Sequence, residues 1–85
     1  MTSARLVRGP DVTVAPGAWV GHDNWDISAA CPTGYRSSGG GHGSDSATAD
    51  PQYVVTRFDR WAVGIRNTGT NPVTVRAFAV CIPSA

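Results

Sequence analysis

The chain has 85 residues and a formal net charge of +1, from seven arginines and six aspartates, with no lysine and no glutamate. A single domain of this size buries only about 60% of its unfolded surface, so its stability depends on a cross-link or a partner. The charges are scattered, which argues against a nucleic-acid partner. No apolar run reaches the roughly 18 residues of a membrane span, so we expect no membrane partner either. Residues 1–8 lack the apolar segment of a signal peptide, and we expect none.

The composition predicts an all-β domain. There is one leucine, whereas the chain has ten valines, eight threonines, ten glycines and six prolines. Valine and threonine favour strands, and glycine and proline favour tight turns. The turn signals recur every 8–12 residues or so, which is typical of a β-sandwich. We therefore expect a small antiparallel β-sandwich, jelly-roll-like, with about six to eight strands and one disulfide.

In chain order, residues 1–10 are expected to form an extended N-terminal arm, and residues 11–85 the single sandwich domain. The first elements of that domain are a short strand over 11–15, a turn at Pro16–Gly17 and one or two strands over 18–31, interrupted around 22–24. Residues 32–34 turn the chain again, because proline presets φ and glycine accepts a positive φ.

The second half begins with a strand over 35–42 that contains Gly39–Gly41. Glycine inside a strand often marks a place where a bulky side chain lies on bare backbone, and we expect Trp25 or Trp61 to lie there. Residues 42–51 are interpreted as one long loop. Strands follow over 53–58, 61–66 and 73–82, with residues 67–72 as a hairpin connection.

The two cysteines end two alternating segments, 25–31 and 73–81, and share the parity of the apolar residues in each. Because side chains alternate along a strand, both sulfurs should face the same core. A bond between Cys31 and Cys81 would close a loop of about 50 residues and stabilise the fold by roughly 4 kcal/mol. The alternative is two buried free thiols, which act as small apolar side chains. We favour the disulfide, and with it an extracellular location.

Residue types that could carry chemistry are concentrated around His42. Together, His42, Ser44 and Asp45 have the composition of a hydrolytic triad, but residues so close together in one loop seldom converge into one. A metal site from His22, Asp23, His42 and Asp45 would have the right ligand types, but their spacing matches no recognised pattern. We therefore expect no enzyme activity, no catalytic residue, no metal and no cofactor, and we interpret these side chains as surface loop residues.

The aromatic residues are the other candidates for binding. Trp25 and Trp61 share the parity of their apolar neighbours, which places them in the core. Trp19 lies between Ala18 and Val20, in a strand whose inward face the sequence does not define. An exposed tryptophan stacks on a sugar ring or anchors a protein interface, so Trp19 is a candidate partner-binding residue.

Several short motifs resemble a β-module common in actinobacterial secreted proteins, which also occurs at the ends of collagen-like and tail-fibre-like phage proteins. The motifs are Val14–Gly17, Cys31–Gly34, Gly39–Gly41, Trp61–Asn67 and Val75–Cys81. The resemblance covers nearly the whole chain from Val12. It implies a disulfide between the two cysteines, an architectural role for the glycines and no catalytic residue. The chain departs from the pattern at His42 and in the polar insertion His22–Asn24.

These observations predict a non-enzymatic structural or adhesive subunit of an extracellular assembly. The assembly expected from the resemblance is an actinobacteriophage virion, with the chain as capsid decoration or tail component. Its partners would be other protein subunits in an oligomer, and the arm would bind a neighbour by strand addition through Leu6 and Val7. The alternatives are a secreted carbohydrate-binding, lectin-like module that binds a cell-surface glycan, and a protein-binding adaptor of a secreted complex.

Overall fold

The computed structural model describes residues 4–21 and 26–84, and these form eight strands in two antiparallel sheets, with no helix among them. The strands are β1 Arg5–Arg8, β2 Val12–Val14, β3 Trp19–Val20, β4 Ser28–Ala30, β5 Tyr35–Ser44, β6 Ala49–Arg57, β7 Arg60–Asn67 and β8 Val73–Pro83. The expected all-β sandwich is therefore confirmed, with the strand number at the upper end of the expected range.

Sheet A is built around β8, the longest strand. On one side β8 pairs with β5 along nearly its whole length, from Val75 to Pro83. On the other side it pairs with two short strands placed one after the other, β1 against residues 78–81 and β2 against residues 73–75. A bulge at Ser37/Gly39 shifts the register of β5 near its start.

Sheet B repeats this plan around β7. The long strand β6 forms a hairpin with β7, and the short strands β3 and β4 follow one another along the opposite side. Thus β1 and β2 pair with the last strand, β8, whereas β3 and β4 pair with the strand before it, β7. This nesting is the jelly-roll-like arrangement that the sequence predicts.

The core lies between the two sheets and is formed by alternate residues of the central strands. Its buried apolar members are Val14, Ile27, Ala29, Val63, Ile65, Val73, Val75, Ala77, Ala79 and Cys81. Every second residue of β8, from Val73 to Cys81, faces this core, as the parity predicts. Trp61 packs against it as expected, whereas Trp25 lies outside the described residues.

The disulfide between Cys31 and Cys81 is present and joins the two sheets. Cys31 directly follows β4 of sheet B and Cys81 lies in β8 of sheet A, with their Cα atoms 5.7 Å apart. The backbone N–H of Cys31 also donates to the carbonyl oxygen of Asp59, at 2.7 Å. The bond therefore fastens the β6–β7 turn region and sheet B to the last strand of the chain.

Two expectations about connections are wrong. The long loop over 42–51 is reduced to residues 45–48, because β5 continues to Ser44 and β6 begins at Ala49. Residues 67–72 are not a hairpin connection, since β7 and β8 lie in different sheets and the segment crosses between them. In both cases pairing with a distant strand determines the structure, and local composition does not report it.

The crossing between the sheets is held by the fully buried side chain of Asn67. Its amide group donates to the carbonyl oxygens of Val14 at 3.1 Å and Asn71 at 2.7 Å. Its side-chain oxygen accepts from the Thr48 hydroxyl at 3.1 Å and from the Gly69 N–H at 2.9 Å. One side chain thus satisfies groups at the end of β2 and in two connecting segments, 45–48 and 68–72, at this end of the sandwich.

Candidate interaction surfaces

Leu6 and Val7, the predicted partner-binding residues of the arm, lie on opposite faces of β1. This strand is paired to β8 of its own sheet, so residues 5–8 are extended but belong to the domain. Val7 packs against the core. Leu6 is 70% exposed on the outer face of sheet A. Only Leu6 is therefore placed to contact another molecule through its side chain.

Leu6 is part of an apolar stripe on that outer face, formed with Phe78, Val80 and Ile82 of β8. These three residues alternate with the buried positions of β8, so they point away from the core. Val80 lies between Leu6 on β1 and Gly39 on β5. We call these four residues the sheet A stripe.

One end of the stripe is bordered by a charged cluster. Arg8 and Arg76 both contact the same carboxylate oxygen of Asp11, at 2.7 Å and 2.8 Å. The hydrogen bond from Arg76, followed by that from Arg8, lowers the pKa of Asp11 below its ordinary value of 3.8. The cluster ties β1, the start of β2 and β8 together along the outer edge of sheet A.

The glycine run of β5 lies beside the stripe, and its two faces differ. On the inner face the Trp61 indole lies directly against Gly40, so the predicted aromatic cover is confirmed at this glycine and is wrong for Gly39 and Gly41. On the outer face, a Cβ atom added to Gly39 or Gly41 would meet no atom within 4 Å. These two glycines therefore leave open hollows next to Val80 and Phe78, their partners on β8.

The outer face of sheet B carries an aromatic pair. Trp19, the third predicted partner-binding residue, is 45% exposed, and its ring centroid is 6.3 Å from that of Tyr53 with an interplanar angle of 76°. The Tyr53 ring covers Gly64, its partner across the strands, and its hydroxyl donates to the Gly21 carbonyl oxygen at 2.8 Å. Arg66 lies directly across from Trp19.

The structure does not assemble a hydrolytic triad from His42, Ser44 and Asp45. The Ser44 hydroxyl donates to the carbonyl oxygen of Ser46, at 2.8 Å, and accepts from the Ser46 N–H. A carboxylate oxygen of Asp45 accepts from the backbone N–H of Thr74 at 3.0 Å. Both side chains are thus used to shape the 45–48 connection, and His42 is exposed on β5.

A metal site is not found in the part of the chain that the structure describes. Among residues 4–21 and 26–84, no three His, Cys, Asp or Glu side chains group closely enough to hold a metal ion. Two of the four metal-ligand candidates, His22 and Asp23, lie outside the described residues.

A shallow groove of about 330 Å³ lies at the end of the sandwich near Asn67. It is lined by residues 45–46, 48 and 69–73 of the two connecting segments. Its lining side chains are small and mostly polar, and it contains no aromatic ring on which a ligand could stack. We interpret it as the boundary between these two connecting segments and not as a ligand site.

The sheet A stripe was not predicted, although the sequence contains a signal for it. Both parities of β8 are apolar over its second half, where Ala77, Ala79 and Cys81 alternate with Phe78, Val80 and Ile82. A continuous apolar run is typical of a strand that is covered on both faces. The Trp19–Tyr53 pair had no comparable signal, because its two residues are far apart in sequence.

Comparison of the chain with protein families, with characterised proteins and with solved structures finds no match. The described residues include no helix that is long and apolar enough to cross a lipid bilayer. The functional interpretation therefore depends on the geometry of the two outer faces.

Proposed function

We propose that this chain is a non-enzymatic structural or adhesive subunit of an extracellular assembly, and that it contacts its neighbours through the outer face of sheet A. The observation that carries the proposal is the sheet A stripe, in which a 70% exposed leucine continues three half-buried apolar side chains on the outer face of β8. Contiguous exposed apolar residues with polar groups at their border are typical of protein interaction sites. Here the border is the charged cluster of Arg8, Asp11 and Arg76.

The disulfide supports the extracellular part of the proposal. Disulfides persist in oxidising surroundings, and small domains that function there commonly depend on them. A phage particle, with the chain as capsid decoration or tail component, is the assembly that the sequence resemblance suggests. The proposed role of the arm differs in one respect from the sequence prediction, in which both Leu6 and Val7 bind a neighbour. Val7 holds β1 on its own domain, and Leu6 is the residue offered to a neighbour.

The test of the assembly proposal is co-sedimentation. A tagged copy of the gene is expressed in cells that release the particles. The culture medium is then separated on a density gradient. Wild-type chain should sediment with particles, whereas Leu6→Arg should remain in the soluble fraction, since a charge at the centre of an apolar contact is costly to bury. Phe58→Arg is the matched control, because Phe58 is equally exposed, at 68%, but lies on the β6–β7 turn. Wild-type chain found only in the soluble fraction would refute the proposal.

A carbohydrate-binding role is a second candidate, and the aromatic pair on sheet B favours it. An exposed indole presents an apolar surface to a sugar ring, and nearby polar side chains can bind hydroxyl groups. Arg66 lies across from Trp19, and Asp50 lies across from Arg66 on the next strand. The Asp50 carboxylate accepts from the Gln52 amide at 3.0 Å, which places two polar groups at this position.

A glycan array separates the two candidates. Saturable binding that is lost in Trp19→Ala and kept in Phe58→Ala would favour the lectin-like role. Absence of binding by the wild-type chain, together with co-sedimentation, would favour the assembly role.

A further inference from the structure

Three of the five glycines in the described strands have a side chain packed against them. Tyr53 covers Gly64, Trp61 covers Gly40, and the ring of Phe78 leans over Gly43, where an added Cβ would lie 3.2 Å from Cε2. Gly39 and Gly41 differ, because the space above each is open. Neither is needed for a left-handed backbone, since the glycines with positive φ are at other positions.

The strand that carries these two glycines is also the least protected edge among the described strands. The opposite edge of sheet A is divided by Gly9–Pro10 into β1 and β2, and the corresponding edge of sheet B consists of strands of two and three residues. The β6 edge contains Pro51 and a bulge after it. Prolines, bulges and short strands are the devices that prevent a sheet edge from pairing with another chain. β5 has ten residues and no proline. Its bulge, between Ser37 and Gly39, and the hydrogen bond from the Ser37 N–H to the Phe58 carbonyl oxygen are both at its start, so residues 40–44 are the open part of this edge.

The hydrogen-bonding direction along β5 follows from its register with β8. The N–H of Asp45 donates to the Thr74 carbonyl oxygen at 3.1 Å, and the register is continuous from Gly39 to Ser44. Because antiparallel strands alternate in the direction of their backbone groups, Gly40, His42 and Ser44 direct their N–H and C=O groups away from β8. Gly40 and His42 are exposed, as an open edge requires.

We infer that the β5 edge accepts an extended segment of a partner protein as an additional strand, with large aromatic or aliphatic side chains at alternate positions. The backbone of that segment pairs with Gly40, His42 and Ser44. Its alternate side chains lie over Gly39 and Gly41, against Val80 and Phe78. Covering a strand glycine with a neighbouring aromatic ring stabilises a sheet, and strand addition combines main-chain bonds with sites for alternate side chains. The inference rests on the proposed function, because it names the partner for the same face of sheet A.

The probe is a synthetic peptide of about seven residues, alternating phenylalanine and threonine, which is long enough to span residues 39–44. The control peptide has the same composition with its phenylalanines consecutive, so that they cannot all face one side. Binding is measured from the amide shifts of the wild-type chain in two-dimensional NMR. The alternating peptide should shift the amides of residues 39–44 and bind at least about tenfold more tightly than the control.

Filling the hollows tests the inference without removing any native contact. Gly41→Val should weaken peptide binding by about tenfold or more. It should also raise the melting temperature, since a β-branched residue replaces glycine in open space. His42→Pro removes an N–H that points away from β8 and should abolish binding in a folded protein. Thr56→Val on the β6 edge is the matched control and should bind normally.

Equal binding of the two peptides, unchanged binding by Gly41→Val, or no binding at about 1 mM would each overturn the inference. The proposed function and this inference can be refuted independently. Wild-type chain that sediments with particles but does not bind the peptide refutes only the strand-addition inference. Chain that binds the peptide but never sediments with particles refutes the assembly proposal.

Discussion

Gly40 of sheet A and Trp61 of sheet B are in contact, and the indole leaves no room for a side chain at position 40. An added Cβ would also meet the carbonyl oxygen of Phe78. We expect Gly40→Ala to lower the free energy of unfolding by about 1–3 kcal/mol, the usual effect of overpacking. Urea unfolding followed by circular dichroism measures this change.

Gly41→Ala is the matched control, because position 41 is open on its side-chain face. It should leave stability unchanged or raise it, since alanine restricts the unfolded chain more than glycine does. Equal destabilisation by the two substitutions would contradict the contact between Gly40 and Trp61.

The disulfide is expected to supply a large share of the stability of this small domain. Its cysteines are separated by 50 positions. Replacing both Cys31 and Cys81 by alanine should cost about 4 kcal/mol by the loop-entropy argument. Domains of this size are commonly stable by only about 5–15 kcal/mol, so the variant should unfold at much lower urea concentration.

The single variant Cys31→Ala provides the comparison for this prediction. It breaks the same bond and leaves Cys81 as a buried thiol, so it should be destabilised to a similar degree. Urea midpoints that are unchanged in both variants would show that the cross-link does not stabilise the fold.

Asn67 should be the most sensitive polar residue of the domain. It is fully buried and its side chain makes four hydrogen bonds. Asn67→Leu would leave the buried carbonyl oxygen of Val14 without a partner, and a buried polar group left unpaired costs about 1–3 kcal/mol. The part-buried groups of Thr48, Gly69 and Asn71 would also lose this partner. We expect loss of folding or a severe drop in melting temperature.

Asn71→Ala controls for the loop itself. Asn71 is exposed and offers its backbone carbonyl oxygen, not its side chain, to Asn67. The stability of Asn71→Ala should be close to that of the wild type. A loss of stability as large as that of Asn67→Leu would argue against a special role for the buried amide.

The inner face of the fold and the apolar outer face of β8 could be predicted from the sequence, whereas the contacts between distant strands could not. Alternation along 73–81 is a local signal, and it gave both the core face of β8 and the cysteine pairing. By contrast, β5 reaches Ser44 only because β8 offers a partner at Val75. The contact between Trp19 and Tyr53 likewise depends on long-range pairing, because their strands, β3 and β6, lie on either side of β7. Periodicity does not report this relationship.

The charged cluster of Asp11 predicts a specific pH dependence. Hydrogen bonds from Arg76 and Arg8 lower the pKa of Asp11 in the folded state below 3.8. A carboxyl group with a depressed folded pKa stabilises the fold above its unfolded pKa, and this contribution is lost as the pH falls through the folded pKa. Asp11→Asn should therefore be less stable than wild type at neutral pH, and the two should converge below the folded pKa. Because the group is exposed, salt at about 1 M should also reduce the difference. Urea unfolding of both proteins across the acid range measures it. A stability difference that stays unchanged as the pH falls from neutral to well below 3.8 would show that Asp11 acts through something other than its charge.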